Sequence, residues 1–195
     1  MAKNPEDDRG QRVSLWSVAI WTAPAAMLLV PLVAMQFSTD VRWTRFDFIV
    51  AGLLLYGAVF TYELIARRTA SGPYRAAVGV AVMAGLMLVW VNLAVGMIGS
   101  ENDPANLMFG GVLAIGIIGA IVARFEPAGM ARALVATALA QAAVAVIALV
   151  NRWGSTGPSW PRDILGTTAL FAVLWVISAA LFQKAARGGL ERRSA

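Results

Sequence analysis

Between the third and fourth apolar stretches the chain reads Ser100-Glu101-Asn102-Asp103-Pro104-Ala105-Asn106, a dense run of oxygen-bearing side chains. Carboxylate and carbonyl oxygens at this density could hold a hard cation or the amine of a solute. The spacing is not that of a twelve-residue calcium loop, and the run does not supply six ligands, so no metal site is assigned. Asp103 ahead of Pro104 has a simpler role as a helix N-cap followed by a first-turn proline. That role leaves Glu101 and Asn102 unexplained, and only partly covers Asn106. A solvated turn is the bland alternative to a binding mouth.

A second set of candidates lies inside apolar runs. Gln141 and Tyr56 fall near the middle of their segments, and Asn92 lies roughly 6 Å from the centre of its own. Thr167 and Thr168 have a similar depth in the last segment. An unpaired amide in hydrocarbon costs several kcal/mol, so these groups should face one another or a wet cavity. Ordinary hydrogen bonding between helices is the competing explanation, worth about 0.6 kcal/mol on average. Glu63 completes the set. It stands four residues before Arg67, where an ion pair snorkelling to the membrane surface would also account for it.

These residues are positioned by six apolar segments. Of 195 residues 59% are hydrophobic and 14% charged, well below the quarter or so that a soluble domain carries. A bilayer core of about 30 Å needs about 20 apolar residues in helix. Gaps between charged residues place helices at about 13–37, 46–66, 74–99, 104–124, 130–151 and 162–185. The expected fold is therefore all-α: an integral membrane bundle of six transmembrane helices in three antiparallel hairpins. Residues 1–12 form a flexible polar tail, 13–187 one transmembrane domain, and 188–195 a basic tail that begins at the stop signal Gly188-Gly189.

The second segment is the short one. Phe48 to Tyr62 gives fifteen uncharged residues, about 22 Å of helix, so Asp47 or Glu63 must approach the hydrocarbon. Thr44-Arg45-Phe46-Asp47 has capping-box spacing, with Asp in place of Glu. In the first segment, Pro24 and Pro31 lie on one face and predict a bend. Ala77, Ala81 and Gly85, and then Gly111, Ile115, Gly119 and Ala123 with Gly116 and Ala120, are small-residue stripes that allow close helix approach. The short connection between the third and fourth segments predicts that these two pack together.

With both termini in the cytoplasm, the cytoplasmic parts hold Lys3, Arg9, Arg12, Arg67, Arg68, Arg75, Arg124, Arg132, Lys184, Arg187, Arg192 and Arg193. The opposite side holds Arg42, Arg45, Arg152 and Arg162. Twelve against four follows the positive-inside rule. The net charge of +5 thus belongs to topology and anionic headgroups, and membrane lipids are the expected partners. No basic cluster is interleaved with aromatics as a nucleic-acid face requires.

The chain has no cysteine and no histidine. That removes disulfides, thiolate chemistry, Cys/His metal sites and His-ligated haem. No cofactor is expected. No Ser-Lys pair, carboxylate dyad or phosphate loop stands at a usable spacing, so catalysis is not expected either. Trp90-x-Asn92-x-Ala94-Val95-Gly96, followed by Gly99-x-Glu101 and Pro104-Ala105-Asn106, resembles a hairpin of small bacterial six-span inner-membrane proteins of uncharacterised function. The resemblance covers about Trp90 to Arg124. It implies a multi-pass inner-membrane protein and brings no activity or ligand with it. Two classes of function remain. One is binding or transport of a small solute, ion or lipid within the bundle. The other is a non-catalytic accessory subunit of a homo-oligomer or larger membrane complex.

Overall fold

The computed structural model describes residues 15–67 and 69–194, with side chains described over 18–67 and 69–191. The expected N-terminal tail, Arg68 and Ala195 lie outside the described residues. Among the described residues six α-helices form: α1 Leu15–Phe37, α2 Arg45–Ala66, α3 Gly72–Ala94, α4 Met108–Val122, α5 Pro127–Val150 and α6 Arg162–Ser194. A 3-10 turn, Pro104–Leu107, leads into α4. All six helical segments are long and apolar enough to cross a membrane, that of α4 when taken with the turn before it.

Local chemistry sets the helix ends. Before α2, Thr44 N–H donates to Asp47 Oδ2 at 2.6 Å and Asp47 N–H donates to Thr44 Oγ1 at 3.3 Å, the reciprocal cap its sequence predicts. At the other end Arg67 Nε donates to Glu63 Oε2 at 2.6 Å. The short apolar gap is thus lengthened to a 22-residue helix by taking in one capped and one paired carboxylate. Helix α3 stops at Ala94, five residues short of the expected end, because Gly96 adopts φ +71° and turns the chain. Helix α4 gives way at Arg124 and Phe125, which have φ values of +50° and +61°. Helix α6 runs on through Gly188-Gly189 to Ser194, against the expected stop. Two glycines cost a helix about 1 kcal/mol each. Good helix formers on both sides, with Arg187 four residues before Glu191, carry the ladder across them.

The chain divides into two compact units, Met1–Thr61 and Tyr62–Ala195. In the first, Trp21 of α1 stacks on Tyr56 of α2 with ring centroids 6.4 Å apart. Leu28 lies beside Gly52. In the second, α6 packs along both α5 and α3, and α4 along α5. The main partner of α3 is therefore α6, and the expected close packing of α3 on α4 is a minor contact. A three-sided meeting explains this. Leu113 of α4 and Trp175 of α6 both reach Gly85 of α3, with the Leu113 side chain between α4 and α3, while α6 seats against Ala77 through Ser178.

Side-chain contacts fix the register of the second unit. Tyr74 of α3 meets the Phe182 ring of α6 edge-on at 5.0 Å, and its hydroxyl donates to Phe125 O at 2.8 Å. Ser178 Oγ donates to Ala77 O at 2.7 Å. A Cβ on Gly116 would lie 3.1 Å from Thr137 Oγ1, and one on Gly119 would lie 2.6 Å from Ala133 Cβ. Neighbouring helices therefore run in opposite directions. Carried across the bundle, these pairings bring Gln141 level with Leu88, Val112 and Phe171, within about a turn. Gln141, Leu88, Val112 and Phe171 are all buried.

Candidate functional site

The acidic loop folds around Asn106, which is buried to 9% exposure. Its Oδ1 accepts from Met97 N–H and Ile98 N–H, both at 2.9 Å. Its Nδ2 donates to Ile98 O at 3.1 Å and Ser100 O at 2.7 Å. Both donors and both acceptor positions are used, so Asn106 is a latch for the loop and has nothing left for a ligand. Gly96 and Gly99, both with positive φ, let the chain double back far enough to present those four backbone groups. Asp103 caps the 3-10 turn by accepting from Ala105 N–H at 2.9 Å. Glu101 and Asn102 are exposed, and Asn102 Nδ2 donates to Glu101 Oε1 at 3.2 Å. The described residues contain no group of three or more His, Cys, Asp or Glu placed to hold a metal. Within the mouth, Asn106, Asp103 and Asn102 hydrogen-bond to the loop itself.

Behind the loop, its backbone at Gly99 touches Gly154 of the loop before α6. A Cβ on Gly154 would stand 2.7 Å from Gly99 N. Glu101 therefore belongs to the Gly99 end of the unit, opposite the end that carries Arg124, Arg75 and Lys184. Glu63, 14% exposed at its side chain, is taken up by Arg67. Tyr56 is in the other unit, stacked on Trp21.

The interior is different. Gln141 is 0% exposed, and neither its Oε1 nor its Nε2 has a hydrogen-bond partner. Thr168 Oγ1 and Trp175 Nε1 are likewise buried and unpartnered, as is Asn92 Oδ1. The Asn92 amide nitrogen is occupied, donating to Leu88 O at 2.9 Å and to Met97 Sδ at 3.4 Å. Thr168 and Trp175 lie on one face of α6, three residues before and four after Phe171. The register puts them about one turn to either side of Gln141, and Asn92 one turn beyond Leu88 toward the Gly99 end. These groups offer an amide N–H₂, an indole N–H, a hydroxyl and two carbonyl oxygens. No charged residue is buried with them among the described residues. Such a set suits hydrogen bonding to an uncharged molecule.

Other buried hydroxyls are paired. Thr137 Oγ1 donates to its own helix at Ala133 O, 2.9 Å away, and Ser178 bonds across to α3. Sequence reasoning singled out Gln141, Asn92 and Thr168 but missed Trp175 and Ser178. The signal was present: Ile164, Thr168, Phe171, Trp175, Ser178 and Phe182 recur at helical spacing and form the buried stripe of α6.

Helices, register and interior polar groups thus describe a chain built from six helices of membrane-crossing length. Comparison with family models, with curated proteins and with solved structures finds no match.

Proposed function

We propose that the chain is a multi-pass protein of a bacterial inner membrane, its helices paired as three antiparallel hairpins with both termini cytoplasmic. Its role is to bind a small uncharged polar solute between α3, α4, α5 and α6. One observation carries this reading: Gln141 is fully buried with its whole carboxamide unpaired. A buried polar group without a partner costs about 1–3 kcal/mol. A molecule able to both accept and donate hydrogen bonds at Gln141 removes that cost. The absence of buried charge among the described residues favours a neutral solute over an ion, whose desolvation nothing described there offsets. The role is binding rather than catalysis, in keeping with a sequence that lacks His and Cys.

The test is thermal unfolding of the purified protein titrated with acetamide, with acetate and methylammonium as charged controls. Acetamide should raise the midpoint of wild type and leave Gln141→Leu unmoved. An equal response in both proteins refutes the reading. A second reading, an accessory subunit of a larger membrane complex, draws on α4. Gly110 and Gly111 have open space above them, and Ile117, Ile118 and Ile121 are exposed. The mass of the gently solubilised particle separates the two, since a subunit travels with its complex.

A further inference from the structure

The first unit carries a groove of about 550 Å³ along α2, running from Phe48 past Ile49, Gly52, Tyr56 and Gly57 to Phe60, with Trp21 of α1 as a side wall. Two glycines make its floor. A Cβ on Gly57 would meet nothing within 4 Å, and one on Gly52 would meet Leu28 at 3.8 Å. At about 1.5 Å per residue the groove is roughly 18 Å long. Half of a hydrocarbon core of about 30 Å is of similar length. In a membrane any such furrow is wetted by acyl chains, and an anchor at one end distinguishes a site from a wet surface. Arg45 stands three and four residues before Phe48 and Ile49, so it continues the same face of α2 one turn beyond the groove. It is exposed, and among the described residues its guanidinium has no ion pair or hydrogen bond. The nearby Asp47 carboxylate is engaged by Thr44. Arg42, the neighbouring cation, donates through Nε to Thr39 O at 3.0 Å.

We propose that this groove is a binding site for one glycerophospholipid, an acyl chain lying over Gly52 and Gly57 and the phosphate held by Arg45. An apolar trough of leaflet depth, floored by bare backbone, offers a chain continuous contact that bulk lipid must otherwise leave incomplete. A free guanidinium presents forked donors matched to phosphate oxygens.

The experiment is native mass spectrometry of the delipidated full chain titrated with phosphatidylglycerol or with diacylglycerol of the same acyl chains. Wild type should retain one phosphatidylglycerol about fivefold more tightly than diacylglycerol, the worth of one basic residue at a headgroup. Arg45→Gln should bring phosphatidylglycerol down to the level of diacylglycerol. Gly57→Leu, whose Cβ would meet nothing within 4 Å and whose side chain would enter the trough, should weaken both lipids while keeping wild-type thermal stability. Arg42→Gln should change neither. The proposal is overturned if wild type holds the two lipids equally, or if Arg42→Gln matches Arg45→Gln. It is also overturned if Gly57→Leu leaves retention unchanged or instead dissociates a dimer, which would make a second copy the occupant.

Discussion

Replacing Asn106 with alanine removes, in one step, both acceptor bonds to the amides of Met97 and Ile98 and both donor bonds to the carbonyls of Ile98 and Ser100. Met97 and Ile98 are 3% and 0% exposed, so water does not replace the lost partner unless the loop opens. Each intramolecular hydrogen bond contributes about 1 kcal/mol net, so the two amide bonds alone lower the local opening free energy by about 2 kcal/mol. Every 1.36 kcal/mol is tenfold in an equilibrium, so amide exchange at Met97 and Ile98 should accelerate about 30-fold. Hydrogen–deuterium exchange with peptide-level mass analysis in detergent or nanodiscs measures this directly. The comparison is Asn102→Ala, which loses only an exposed bond to Glu101 and should exchange like wild type. If the 95–100 segment of Asn106→Ala exchanges at the wild-type rate, the latch is not what holds this loop.

The remaining substitutions probe packing. Gly119→Ala places a methyl 2.6 Å from Ala133 Cβ, so α4 must move off α5; thermal stability should fall by the equivalent of about 1–3 kcal/mol, while Gly110→Ala, with open space around it, should show no loss. Ser178→Ala deletes the α6–α3 bond to Ala77 O and should cost about 0.6 kcal/mol in a reversible unfolding titration, the usual worth of such a bond in a membrane bundle. Arg124→Gly relieves a non-glycine residue held at φ +50° and should raise stability by up to about 1 kcal/mol, read as a higher unfolding midpoint.

Residue chemistry alone located the helices wherever their ends are marked by charge, because desolvating an ionised group is costly enough to make charge a boundary. It also placed Asp47 and Glu63 inside the second helix, and it misjudged the places where a backbone signal acts. Asp47 and Glu63 lie within α2 because Thr44 and Arg67 satisfy them. Gly96 ends α3 through its positive φ, whereas Gly188-Gly189 do not end α6. Tertiary pairing was the least legible level. A short loop keeps α3 and α4 near each other, yet which helix presents a flat enough face depends on side-chain volumes that meet only in three dimensions, as Leu113 and Trp175 do at Gly85. Asn106 could not be told from a ligand residue, since its partners are backbone groups that a folded-back loop brings to it. Gln141 stood out because it is the strongly polar residue within the interior of an Ala/Val-rich helix.

The distribution of satisfied and unsatisfied polar groups within the second unit argues for binding over cohesion. Groups that hold the fold together are paired: Ser178 across α6 and α3, Tyr74 onto Phe125, Thr137 within α5. Of the unpaired ones, Trp160 Nε1 lies in the loop before α6 and the others lie on the helices or at the end of α3. Asn92, Thr168, Gln141 and Trp175 follow one another at about one-turn steps from the Gly99 end to mid-bundle. At about 1–3 kcal/mol for each unmet group, the four together cost about 4–12 kcal/mol. A typical domain is stable by only about 5–15 kcal/mol. Hydrophobic residues of similar volume would pack there without that cost. Close approach of α4 to α5 at Gly116 and Gly119 also keeps α5 from sliding to relieve it, since these glycines seat against the short side chains of Thr137 and Ala133. A bundle that locks its polar groups into unpaired positions is stabilised when a hydrogen-bonding guest fills them, and under the proposed function Gln141, flanked by Thr168 and Trp175, is where that guest gains most.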